Sequence, residues 1–314
     1  MGRDLARQEI ERRMAEAHAG GAGASLAARR AAALAERVGD PATAIAALGL
    51  AARLEPLDST PRLAAARLHA ETGDLQAAAA ESEAVLAESV DQAARARAAF
   101  MLGEFARARG EFDQARSRYE TTLKIEDALL AADRSEPTAA RWYARARGRI
   151  AELDAGAGLF ERARAGAEAA LALLRACAAQ IGEPPALAAD IADAEMRLGA
   201  LELDDGQASS CLRRLNEAIG RFEALAVSEP EEPHWRAVLS DAWALAAEAE
   251  LARGDHALAR KAMDKALQAR MRLAVKRPEE AWALAGLWRT RAALLAAIAD
   301  PEGASTALQQ ARAL

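Results

Sequence analysis

The stretch AFMLGEFARARGEFDQARSRY, residues 99–119, decides the fold. Spacings of three and four put Ala99, Leu102, Gly103 and Ala106 on one helical face, and Phe112, Ala115 and Tyr119 on another. Gly110 separates the two runs and is followed by Glu111, a polar residue that suits a tight turn. The stretch therefore reads as a helix, a turn at Gly110 and a return helix. Its backbone must come close to the first one, since the facing positions are small.

The same arrangement recurs along the chain. Turn signals stand at Gly39, Gly73, Gly110, Gly158, Gly206 and Gly254, with Ala299-Asp300-Pro301 as a degenerate seventh copy, at spacings of 34, 37, 48, 48, 48 and 45. Five residues after each anchor comes a small residue: Ala44, Ala78, Ala115, Ala163, Cys211, Ala259 and Ala304. Seven before each comes another: Ala32, Ala66, Gly103, Ala151, Gly199, Ala247 and Ala292. Larger side chains are expected to fill the spaces between, Leu102 with Phe112 and Tyr119, Ile150 with Phe160, Leu198 with Leu215, and Trp243 with Met263. One hairpin cannot bury its apolar face alone, so such units must stack.

These residues resemble the tetratricopeptide repeat (TPR) family, and residues 99–119 carry the likeness best. It extends over roughly Ser25 to Leu314, although early repeats lack the large aromatic that opens the family's first helix and a clear closing proline stands only at Pro56. The resemblance implies an all-α, TPR-like right-handed α-solenoid of about seven helical hairpins. The later units carry fourteen more residues than a 34-residue unit, which is two heptads, so both helices lengthen without turning their apolar faces. Glu229-Pro230 before Trp235, and Arg277-Pro278 before Trp282, make these units similar to the long TPR arrays of bacterial signalling proteins. The expected organisation is a capping helix or mobile arm with a Gly-rich linker over 1–23, three regular hairpins over 24–124, and four longer ones over 125–314.

Composition agrees. Alanine supplies 90 of 314 residues, while valine, isoleucine and threonine together supply 22, too few for a sheet. The net charge of −6 provides no general basic field for nucleic acid or anionic lipid, so nucleic acid is not an expected partner. The longest uncharged run, Pro41 to Ala52, is too short to cross a bilayer, and the charged N-terminus reads as no secretory signal, so the expected location is cytoplasmic. Four scattered histidines and two isolated cysteines, Cys177 and Cys211, form no metal-binding spacing. No nucleophile stands beside a base. The expectation is a non-enzymatic chain with no cofactor and no metal.

Function then rests on binding a protein or peptide. In the TPR family the first helix of each hairpin lines the inner surface, and its positions project here onto Leu63, Arg67, Arg97, Phe100, Glu104, Arg107, Arg141 and Arg145. In the later repeats they project onto Asp193, Met196, Leu203, Asp241, Glu248 and Leu251. The first set is basic and the second acidic. Arg141, Arg145 and Arg149 repeat at every fourth residue, so like charges repel along one face unless an acidic ligand or acids of adjacent repeats neutralise them. Trp142, between arginines, is a candidate ligand contact, whereas Trp235, Trp243, Trp282 and Trp288 read as packing between repeats. Near the last turn, Leu308, Ala311 and Leu314 share a stripe, which is either a frayed end or a docking face for a second copy or a partner helix.

Overall fold

In the computed structural model, which describes residues 3–133, 136–275, 277 and 280–314, the regular structure is α-helical throughout. The helices are α1 (Arg3–Ala19), α2 (Ala24–Val38), α3 (Pro41–Leu54), α4 (Thr60–Glu71), α5 (Leu75–Glu88), α6 (Gln92–Ala108), α7 (Phe112–Ala132) and α8 (Pro137–Gly156). They continue with α9 (Phe160–Ile181), α10 (Pro185–Asp204), α11 (Ala208–Ser228), α12 (Pro233–Ala252), α13 (His256–Ala274), α14 (Ala281–Ala297) and α15 (Pro301–Arg312). Two compact units divide the chain, one running to Leu153 and the other from Asp154 to Leu314.

Every anchor seen in the sequence is the same turn. At Gly110 the backbone takes φ 76°, and the N–H of Glu111 donates to the Ala106 carbonyl, closing the α6 C-terminus. The equivalent bond recurs at the other six anchors, at 2.7 to 2.9 Å. The residue that donates it also opens the return helix. Where that residue is Asp40, Asp74, Asp255 or Asp300, its carboxylate accepts the N–H three residues on. One residue thus ends the first helix and the next starts the second, which leaves no slack between them. The seventh anchor makes this turn with alanine, and Ala299 sits at φ 60°.

The small residues meet where the helices cross. Ala44, Ala78, Ala115, Ala163, Cys211 and Ala259 are wholly buried, and so are or nearly are Ala32, Ala66, Ala151 and Ala247 across from them. In the first unit a core of Ala106, Ala115, Tyr119, Ala146 and Ile150 joins α6, α7 and α8. In the second, Leu215, Ile219 and Phe222 of α11 pack with Ala242 and Ala246 of α12, Met263 and Leu267 of α13, and Leu287 and Leu294 of α14. Ile10, Met14 and Ala17 of α1 pack against α2 and α3.

Three large residues do not fill the places the repeat pattern suggests. Phe112 and Phe160 are each the first residue of a return helix and stand about half exposed. That position stands immediately after the turn, at the turn end of the hairpin, and about half of each residue meets solvent. Trp282 is 78% exposed, while Trp235 packs against the core and donates its indole N–H to Glu229 at 2.8 Å. Trp235 comes five residues after Pro230 but Trp282 four after Pro278, which lies outside the described residues. One residue of offset rotates a helical side chain by about 100°.

Candidate functional site

Within the first unit, α4 lies beside α6, and α6 beside α8 through the core of Ile150 and Tyr119. On α6, Phe100, Glu104 and Arg107 follow one face. Opposite them α8 presents Trp142, Arg145 and Arg149. The Phe100 and Trp142 rings meet edge to face, with centroids 5.2 Å apart, and Phe100 also lies 5.5 Å from the buried ring of Tyr119. The Arg145 guanidinium stands over the Trp142 indole at 4.8 Å. Phe100, Trp142 and Arg145 are all half-buried, so their outer surfaces remain accessible.

Glu104 holds the inner edge of this cluster together. Its carboxylate accepts from the Tyr119 hydroxyl at 2.5 Å, and Arg149 reaches both oxygens, Nε at 2.9 Å and a terminal nitrogen at 3.0 Å. Arg107 adds a longer contact at 3.3 Å. Burial alone would raise the Glu104 pKa, but Arg149, the Tyr119 hydroxyl and Arg107 outweigh it and hold the carboxyl below its usual range. Burial together with the adjacent carboxylate pushes the Tyr119 phenol the other way, above its ordinary value. Both groups stay in their ordinary ionisation states at neutral pH. Glu104 is thus the counter-ion of Arg149, which also meets Glu152 at 3.1 Å.

The residues projected from the sequence divide accordingly. Phe100, Glu104, Arg107, Trp142 and Arg145 converge, with Arg141 one turn earlier on α8. Arg97, on α6, is half-buried near Glu126, and its Nε has no hydrogen-bond partner among the described residues. Arg67, on α4, is held by Glu36 at 2.5 Å and Glu71 at 2.7 Å. Met196 belongs to the second unit, where it packs against the core at α10. Two members of the cluster were not among the projected residues. Arg149 continues the arginine spacing already visible in the sequence, and Tyr119 faces Gly103, a pairing of large with small that marks a close approach.

In the second unit α10 lies beside α12, and α12 beside α14. Asp193 pairs with Arg197, and Asp241 with Arg270. Glu248 has its pKa raised by burial and by Asp204. Leu308 on α15 is 41% exposed and Leu314, just beyond that helix, 53%, whereas Leu215 and Met263, nine residues after their own anchors as Leu308 is, are buried.

Among the described residues no group of side chains is arranged to hold a metal ion, and no helix is long and apolar enough to cross a membrane. Cys177 and Cys211 are buried free thiols. Burial, with Glu202 and other acids nearby, pushes the Cys211 thiol up to about 12, far from a reactive thiolate.

No family model matches the chain, and no curated protein matches it. Among solved structures it is similar to the apo form of RapI, with a TM-score of 0.58 at 10% identity over 92% of this chain and 99% of that one. It is similar also to BtubC (BKLC) from P. vanneervenii, with a TM-score of 0.53 at 21% identity over 84% of this chain and 92% of the other. PilW, a type IV pilus biogenesis factor, gives a TM-score of 0.53 at 19% identity over 79% and 94%. At such identities the likeness is one of fold. Together with the recurring one-residue turn and the buried small positions on both helices, it identifies the architecture: the chain has the helical-hairpin fold of the tetratricopeptide repeat proteins.

Proposed function

We propose that the chain is a non-enzymatic protein-interaction scaffold that holds a protein or peptide against the α6 and α8 face. The observation that carries this reading is the Phe100–Trp142 pair with Arg145 over the indole. Partly exposed aromatic rings flanked by guanidinium groups are the usual material of interface hot spots. Recognition of an acidic group on the partner is assigned to Arg141 and Arg145, with Arg97 and Arg107 beside them. Phe100 and Trp142 supply the apolar contact. Arg67 is assigned to a flanking contact in the first unit, and Met196 to a contact within the second unit. The same reading involves no cofactor, no nucleic acid and no membrane, and places the protein in the cytoplasm. Affinity capture followed by mass spectrometry tests it. Partners held by the wild type should be lost with Arg141→Glu/Arg145→Glu and depleted with Trp142→Ala, and an unchanged set of partners would remove the assignment.

A second reading is favoured by one observation, the exposure of Leu308 where its counterparts Leu215 and Met263 are buried. On this reading the α14–α15 hairpin docks on a second copy or on a separate enzyme. Light scattering distinguishes the two-copy form, since Leu308→Glu/Leu314→Glu should convert a dimer to a monomer. A monomer in both cases excludes self-association.

A further inference from the structure

A second surface lies at the opposite end of the α12–α13 hairpin from its turn, where Pro230, Glu231 and Pro233 ahead of and opening α12 lie beside Arg272, Leu273 and Val275 at the end of α13. There an open cleft of about 570 Å³ is lined by Pro230, Pro233, Val275, Arg236, Arg272 and Glu231, among others. We infer that this cleft docks an acidic peptide segment carrying an apolar side chain.

Charge selects the occupant. Most arginines of the second unit are matched by acids among the described residues; Arg213, Arg289 and Arg312 are not, and none of these three lines the cleft. Arg164 meets Asp205, Arg214 meets Glu195 and Glu202, Arg221 meets Glu183, and Arg260 meets Asp300. Arg270 and Arg291 are likewise held, by Asp241 and Asp264. Arg236 and Arg272 have no ionic partner among the described residues, and both face this cleft. Arg236 is half-buried, so its charge has lost part of its hydration without gaining a counter-ion, and an arriving carboxylate would restore the balance. Glu231 is the one carboxylate among the described lining residues, against the guanidinium groups of Arg236 and Arg272. Among the described lining residues positive charge is thus in excess, in a protein whose net charge is negative.

Shape favours a peptide over a small anion. The prolines and Val275 make the floor and rim apolar, and Val275 is 86% exposed. Trp282, 78% exposed, stands just past the α13–α14 connection. A small anion would meet the arginines and leave this apolar surface wet. A chain segment with an acidic residue beside an apolar one covers both.

The surface is separate from the α6–α8 face, so the two proposals fail independently. Selection of a displayed random-peptide library against the whole chain tests this one. Peptides in which Asp or Glu flanks an apolar residue should be enriched. A synthetic peptide of the enriched sequence should bind at least about tenfold more weakly to Arg236→Glu/Arg272→Glu, with helical content unchanged by circular dichroism. The Arg141→Glu/Arg145→Glu variant should bind it as the wild type does. Three results would overturn the inference: no peptide enriched above background, enrichment without acidic residues, or equal binding by Arg236→Glu/Arg272→Glu. Displacement of the peptide by inorganic phosphate at matched concentration would also overturn it, because the cleft would then be an anion site.

Discussion

Tyr119 lies against Gly103 so closely that a methyl group added to the glycine would stand 2.7 Å from the ring Cδ1. The ring cannot step aside. It is wholly buried, and its hydroxyl is tied to Glu104. In the second unit Gly199 faces Leu215 at the same offsets, with ordinary contact distances of about 3.6 Å, and the residues at these offsets are Ala66 and Ser82 in the second repeat and Ala247 and Met263 in the sixth.

Gly103→Ala is accordingly expected to destabilise the first unit by about 1–2 kcal/mol, an overpacking cost of about 1–3 kcal/mol reduced by the helix propensity alanine gains. In the Tyr119→Ser background the same change should become neutral or stabilising, because the second repeat carries Ala66 and Ser82 at these same two offsets. Urea unfolding of the four proteins of this cycle measures the coupling. Additive effects would show that Gly103 and Tyr119 do not constrain each other.

Ala299 occupies the left-handed position that glycine holds at the other six anchors. A Cβ in that conformation costs about 1–2 kcal/mol, partly offset by the greater freedom glycine has in the unfolded chain. Ala299→Gly should therefore stabilise the α14–α15 turn by roughly 0.5–1 kcal/mol, seen as slower amide exchange in α15. Gly254→Ala, at the equivalent turn, should act in the opposite direction. If both substitutions change stability with the same sign, turn conformation is not what distinguishes them.

Glu126 on α7 is 1% exposed, and neither carboxylate oxygen has a hydrogen-bond partner among the described residues. Burial, with Glu136 nearby, raises its pKa to about 8 against the opposing pull of Arg97. In the unfolded chain the group titrates near its ordinary value of about 4.3. Folding thus takes up a proton between those two values, and the stability that the neutral form allows is lost as pH rises through about 8. Denaturant midpoints should fall across that window in the wild type and fall less in Glu126→Gln, which should be the more stable protein at high pH and no more stable in acid. Parallel pH profiles for the two proteins would place the sensitivity elsewhere.

Periodicity made the hairpins readable because close helix approach constrains side-chain size at fixed offsets from the turn. It leaves an imprint at Ala44, Cys211 and Ala259 whatever else changes. Exposure of large side chains was less readable. Phe112 and Phe160 look like core residues by type, yet their covering depends on where the opposite helix stops. The α6–α8 cluster was only partly legible. Phe100, Trp142 and Arg145 could be placed from their positions in the repeat, but the Glu104–Arg149 pair spans 45 residues and is made by long side chains whose reach no local spacing encodes. The cleft at Arg236 and Arg272 was invisible for a related reason: sequence shows every arginine alike, and only the fold shows which ones lack an acid.

Arg270 is the arginine for which the presence of acids matters most. It is 5% exposed on α13, and its guanidinium reaches Asp241 and the Ala237 carbonyl of α12 on one side and Glu280, at the start of α14, on the other, the last at 2.8 Å. One side chain therefore ties three helices from within the core. Replacing it with methionine keeps the apolar stem but leaves the partners without their donor, so a loss of about 2–4 kcal/mol is expected. Arg270→Lys keeps the charge yet cannot present a planar fork to three acceptors in different directions, and it should recover less than half of that loss. Full recovery by lysine, measured by denaturant unfolding of the two variants beside the wild type, would mean that charge alone holds α12, α13 and α14 together at this point and that guanidinium geometry contributes nothing.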